Sequence, residues 1–324
     1  MTQRHSSTLR APPLPSDVQL TTPRIILGDE DKQNTFVNVV KVINTTTGSI
    51  CTGTVISKTW VLTASHCFFG SRSATPSNPS EIVIEISTYD DKEKEFKSFF
   101  MKVKEVIVHD DFQSLERNDI ALLHLERAVP KSIKPAAFFL GDLNNLIKTS
   151  GRDGLDAIAV GYGLTTGYNQ IRITRAVREV GHVRLTSANT DTKLLVTRSY
   201  SNRNQIACSG DSGGPLFISV NNELYLVGVV GWGDRCRSNA TYTYVAPYTE
   251  PGEMIRHFVP VIITDSGALS IDQGNHDEYL RIENDTIEST ESEISTLGIA
   301  PRIGLGAIVF AGLLAFRNTF VSED

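Results

Sequence analysis

Cysteine is sparse: four in 324 residues, Cys51, Cys67, Cys208 and Cys236, with no C-x-x-C pair among them. The common zinc spacings are therefore missing, and no required metal or other cofactor is expected. An excess of positive charge is also lacking. Thirty-one Lys and Arg stand against 37 Asp and Glu, a formal net charge of -6, which argues against nucleic acid as a partner. The opening MTQRHSSTLRAPPLPSDVQL contains no apolar core of signal-peptide length. The reading is that export is unconventional or that the natural chain starts elsewhere. No uncharged run reaches the ~20 residues of a spanning helix. The most suggestive, Ile303 to Phe316 between Arg302 and Arg317, would span about 21 Å as a helix, against a hydrocarbon core of roughly 30 Å. Weak membrane association, with the arginines snorkelling, is the most expected of it. Solenoid-length repeats and helical periodicity are likewise scarce.

What remains is a chain of short apolar segments rich in Val, Ile, Tyr and Phe. Six (FVNVVKVI, TGTVI, WVLT, IVIEIS, FFMKVKEVIV, IALLHL) precede a break. Six more (AIAVG, AVREVGHVRL, LLVTRS, PLFIS, LYLVGVVG, TYTYVA) follow it. The pattern predicts an all-β protein of two six-stranded antiparallel barrels or sandwiches, with one helix at EPGEMIRHFV. Residues 1-24 read as a flexible leader and 25-265 as the folded domain. Residues 266-300, with eight acidic residues against Arg281 alone, read as an acidic disordered linker, and 301-324 as a short hydrophobic tail.

Three segments carry chemistry: CTGTVISKTWVLTASHC, RNDIALLHL and CSGDSGGPLF. A serine hydroxyl is a poor nucleophile at neutral pH and needs a base. An imidazole has a pKa suited to that work, and a carboxylate can fix its tautomer. GDSGG also fits the G-x-S-x-G elbow of α/β-hydrolases, but a strand-like GGPLFISV follows it and no βαβ rhythm precedes it. A lone histidine is usually structural; TASHC reverses that for His66, while the other six histidines are left as structural.

From about Ile25 to His257, these segments resemble the trypsin/chymotrypsin family of serine proteases. The resemblance implies a double β-barrel with the site in the cleft between barrels. His66 would be general base, Asp119 its orienting carboxylate and Ser212 the nucleophile, acting through an acyl-enzyme. Gly210 and Ser212 would offer their N–H groups to the oxyanion. It further implies disulfides Cys51–Cys67 and Cys208–Cys236, hence an oxidising, secreted or extracellular setting. Gly231, Trp232 and Gly233 would pair with substrate backbone as an added strand.

The same resemblance implies zymogen activation by a cut after Arg24, freeing the amine of Ile25 to pair with Asp211, although Leu27 stands where the family usually has glycine. Ile206 occupies the place where trypsin-like members carry an aspartate. Together with the small Gly233 and Ala240, it implies cleavage after an uncharged apolar residue and no self-activation at Arg24. The expected partners are a protein or peptide substrate and a separate activating protease. Two departures stand out: Ser65 replaces the usual alanine, a small change, and Gly231 replaces a serine that supports the catalytic aspartate. Gly231 and the irregular activation site leave a second reading, a protease-like binding protein of weak or absent activity.

Overall fold

Alternation of side chains along each strand decides which residues line a barrel and which face its neighbour. In the strand Val39–Asn44, Val40 and Val42 belong to one apolar core, whereas Val39 belongs to another. The same division separates Val61 from Trp60 and Leu62, and Leu123 from Leu122. Each of these strands therefore serves two cores, one inside its own barrel and one at the seam.

The computed structural model describes residue 25, residues 27–69, 75–115, 117–163, 177–200, 205–233, 237–246 and 249–259, and the backbone of 262–263 and 269–270. The chain divides into units of residues 1–273 and 274–324, and every described residue lies in the first. The leader 1–24, residues 271–300 and the tail 301–324 lie outside the described residues.

A two-residue strand β1 (Asp29–Glu30) opens the fold. The first barrel follows: β2 (Val39–Asn44), β3 (Ile50–Val55), β4 (Trp60–Thr63), β5 (Ile82–Asp90), β6 (Glu95–Val108) and β7 (Ala121–Leu125), closed in the order β2-β3-β4-β7-β6-β5. A connecting segment carries β8 (Ala137–Phe138) and helix α1 (Leu143–Thr149). The second barrel comprises β9 (Leu155–Gly161), β10 (Glu179–Asn189), β11 (Leu194–Ser199), β12 (Pro215–Val220), β13 (Glu223–Gly233) and β14 (Asn239–Tyr244). Its ladder runs β12-β9-β10-β11-β14-β13 and closes through β12–β13.

Helix α2 (Glu250–Phe258) comes next, capped by Thr249, whose Oγ1 accepts from Gly252 N. The short strands β15 (Ile262–Ile263) and β16 (Leu269–Ser270) then pair with each other, and β16 pairs with β8. The twelve barrel strands and α2 match the sequence reading. Helix α1, two turns held by the Asp142 side chain accepting from Asn145 N, is too short to give a periodic signal.

Between the barrels, Phe36, Val39, Leu62, Ile120, Val160, Phe217, Val229 and Ile255 form a common core. A buried polar cluster lies between the same two bodies. Arg178, fully buried, sets its Nε and Nη2 2.8 Å from Asp31 Oδ2 and donates through Nη1 to Ser87 O in β5 and to Tyr162 Oη. Tyr162 in turn donates from its hydroxyl to Val39 O in β2. Burial pushes this tyrosine hydroxyl above its ordinary range, so it remains a donor. A fully buried guanidinium needs such a set of acceptors; without them its desolvation would outweigh anything it gained.

Candidate active site

The first barrel supplies two side chains already in contact. His66 sits in a single 3₁₀ turn, Ser65–Phe68, immediately after β4, while Asp119 precedes β7, the strand paired with β4. Strand pairing therefore brings the two together from 53 residues apart. His66 N donates to Asp119 Oδ1 at 2.9 Å, and His66 Nδ1 lies 2.6 Å from Asp119 Oδ2. The aspartate is fully buried, while the imidazole side chain keeps 24% of its surface exposed. With Nδ1 engaged by the carboxylate, Nε2 is the nitrogen left to exchange a proton with a reactant.

Covalent and polar braces hold this turn. Cys51 on β3 and Cys67 form a disulfide. Ser65, fully buried, donates its hydroxyl to Ile120 O, next to Asp119, and accepts from His109 N at 3.4 Å. Its replacement of alanine thus adds a bond between the histidine and aspartate segments. Cys51, His66 and Cys67 bring three candidate metal-ligand atoms within 4.8 Å of one another. Both sulfurs are tied up in the disulfide, which leaves no thiolate for a metal.

The second barrel supplies a loop held by its backbone. Asp211 N donates to Cys208 O, Gly214 N to Asp211 O, and Gly213 N to Val230 O. Gly210 (φ +95°) and Gly213 (φ +80°) lie in the left-handed region that favours glycine. A Cβ on Gly210 would also stand 2.9 Å from Gly163 Cα. The Asp211 carboxylate accepts from Gly163 N at 2.7 Å and Cys208 N at 2.8 Å. Among the described residues, the N–H groups of Gly210 and Ser212 have no hydrogen-bond acceptor, nor has Ser212 Oγ a partner. Ser212 is partly exposed and tied to the first barrel through its carbonyl, which accepts from Thr52 N at 2.8 Å. The Sγ of Cys67, the residue after His66, lies 3.9 Å from that same carbonyl oxygen.

Ile206 and Ala240, the expected pocket residues, share one buried cluster with Ala207, Val230 and Tyr242. Ala240 is the cross-strand partner of Gly233, and Thr241 that of Trp232, which is 39% exposed. A Cβ on Gly231 would stand 3.6 Å from Asp119 Oδ2, so this glycine borders the carboxylate without offering it a donor. Ile25 is fully buried in the same second-barrel cluster as Ile206. Cys208 is disulfide-bonded, but the Cys236 end of the expected bridge and Arg24 lie outside the described residues.

Three residues were missed by sequence reasoning as parts of the site. Thr52 touches both Ser212 and Gly210, and its only signal was a hydroxyl beside Cys51 in CTGT. Ser65 was read as a minor change. Tyr242 is fully buried beside the pocket residues. Burial first, and then the Asp211 charge, push its hydroxyl far above the ordinary tyrosine range, so it stays protonated.

The Trypsin family model matches residues 25–251. The chain is 26% identical over 251 residues to Vitamin K-dependent protein C of Mus musculus, an alignment covering 72% of this chain and 51% of that protein. Its identity to the Rattus norvegicus protein of the same name is 27% over 253 residues, covering 72% and 52%. With Coagulation factor XI of Bos taurus it is 28% over 222 residues, covering 64% and 34%. The chain thus spans about half the length, or less, of these curated relatives.

Proposed function

We propose, on the premise that the chain belongs to the trypsin family of serine proteases, that it is a serine endopeptidase. Ser212 is its nucleophile, His66 its general base and Asp119 the carboxylate that orients the base. The observation that carries this reading is the doubly bonded His66–Asp119 pair, next to Cys67, whose Sγ lies 3.9 Å from Ser212 O, in a loop whose Ser212 and Gly210 N–H groups are unengaged among the described residues. Ser212 Oγ attacks the substrate carbonyl as His66 Nε2 takes its proton. The oxyanion settles on the N–H groups of Gly210 and Ser212, and His66 then gives the proton to the departing amine. Water repeats the sequence on the acyl-enzyme. Gly231 to Gly233 hold the substrate backbone as an added strand.

The specificity pocket supports cleavage after an uncharged, apolar residue such as Leu, Phe, Met or Val. Its inner end is Ile206, fully buried, with Ala240 and Tyr242 in the same cluster. The Ile206 side chain carries no charge, and an arginine held against it would lose its water without gaining a counter-charge from it, at a cost of several kcal/mol. Activation by a cut after Arg24, with the Ile25 amine drawn to Asp211, then requires a different protease. The Cys51–Cys67 disulfide supports an extracellular setting.

The test is a fluorophosphonate label applied to the chain cut after Arg24, together with a panel of chromogenic peptides. Labelling at Ser212 and fastest hydrolysis after an apolar residue are expected. An unlabelled serine in correctly cut material overturns the assignment of activity. Fastest hydrolysis after arginine overturns the pocket assignment alone.

A further inference from the structure

We propose that Thr52 is a positioning residue that sets the oxyanion loop from across the seam between the barrels. The inference rests on the assignment of Gly210 and Ser212 as oxyanion donors. Thr52 lies on β3 of the first barrel and is fully buried. Three of its bonds cross into the second barrel. Its N donates to Ser212 O at 2.8 Å, its Oγ1 donates to Gly210 O at 2.8 Å, and Tyr162 N donates to Oγ1 at 3.1 Å. One residue thus fixes the carbonyls of both proposed donor residues.

The side chain does what its backbone cannot. The amide of residue 52 reaches Ser212 whatever side chain is present, but among the described residues the carbonyl of Gly210 is held by the hydroxyl alone. Gly210 adopts a left-handed conformation that a glycine can leave at little steric cost. A donor aimed at its carbonyl removes that freedom and fixes the orientation of the residue. The hydroxyl also closes a chain of contacts: Tyr162 N bonds Thr52 Oγ1, and the next amide, Gly163 N, bonds the Asp211 carboxylate in the middle of the loop. The loop from Gly210 to Ser212 is therefore gripped at Gly210 and Ser212 by Thr52 and at Asp211 by Gly163. Thr52 is itself fixed, since its carbonyl accepts from Thr63 Oγ1 at 2.8 Å. Docking of the barrels and formation of the oxyanion hole become one event.

Thr52→Val keeps the shape of the side chain and deletes the hydroxyl; Thr52→Ser keeps the hydroxyl and deletes the methyl. In the full chain, cut after Arg24 and normalised to fluorophosphonate-titrated sites, Thr52→Val should lower kcat by about tenfold, less than the roughly 10²–10³-fold cost of deleting a donor outright. KM should stay within about twofold. Affinity for a peptide boronate ending in a leucine analogue, whose tetrahedral adduct fills the oxyanion hole, should fall by a similar factor. Affinity for the matching peptide amide should not change. Thr52→Ser should behave as the unaltered chain. Should the valine chain fail to accumulate, Thr52→Ala, which cannot clash, gives the same reading.

Equal boronate affinity and kcat within twofold in the variant lacking the hydroxyl overturn the proposal, as does a serine variant impaired as much as the valine one. Failure of the unaltered chain to label or cleave overturns instead the proposed function on which this inference rests.

Discussion

The two barrels grip their halves of the site by different means. The first holds His66 and Asp119 through side chains: a carboxylate that takes two bonds from one histidine, a buried serine hydroxyl and a disulfide. The second holds Gly210 to Gly214 chiefly through its backbone, with two glycines in left-handed geometry and amide-to-carbonyl bonds along the loop, joined by one side chain, the Asp211 carboxylate. A side-chain grip can be removed one group at a time. A backbone grip fails only when the path of the chain changes or when a group from outside lets go. Thr52 is the place where the first kind of grip acts on the second.

The most severe test of this contrast is Asp119→Asn. It keeps the shape of the first-barrel grip but places the wrong tautomer on His66, and kcat should drop by about 10⁴-fold while KM hardly moves. Titration of folded, labelled enzyme against turnover checks it. Next in size is Asp31→Ala. It leaves the fully buried Arg178 guanidinium without its carboxylate and removes the acceptor for Thr35 N and Phe36 N. A loss of about 3–5 kcal/mol in unfolding free energy is expected. Denaturant titration measures it, and a change below 1 kcal/mol would show that the seam does not depend on this pair. The smallest effect expected is a gain. In Gly231→Ser the new Cβ would stand 3.6 Å from Asp119 Oδ2, close enough for its hydroxyl to donate there, and 3.1 Å from Leu115 O, which must yield slightly. One added hydrogen bond to a buried carboxylate, worth about 1 kcal/mol, should raise kcat by about threefold or more. A fall in kcat would show that Ser65 and His66 already position the aspartate fully.

The contrast also explains what could be read in the sequence. Short apolar runs rich in Val, Ile, Tyr and Phe made all twelve barrel strands visible; in strands such as β2, β4 and β7 one face is buried in the barrel and the other at the seam, so both faces read as apolar. The first-barrel half of the candidate site was legible by residue type: TASHC and NDIALL supply His66 and Asp119, which the fold brings into contact. Of the three glycines in CSGDSGG, Gly210 and Gly213 adopt the left-handed backbone that favours this residue. What escaped reading were partnerships across the seam. Nothing in the spacing of Thr52 and Gly210, 158 residues apart, says that one holds the other. Arg178 drew no notice within AVREVGHVRL, although it is fully buried against Asp31, 147 residues away. Strands β1, β8, β15 and β16 have two residues each, too few to alternate.

Those smallest strands have a consequence of their own. Strand β8 runs parallel to β13 outside the closed ladder, and a free flank there would offer unused amide and carbonyl groups to any passing polypeptide. Among the described residues, β16 lies along that flank and β15 along β16, so a polypeptide approaching β8 meets an edge already taken. That cover comes from a stretch that lies beyond residue 251, the last one matched to the protease family.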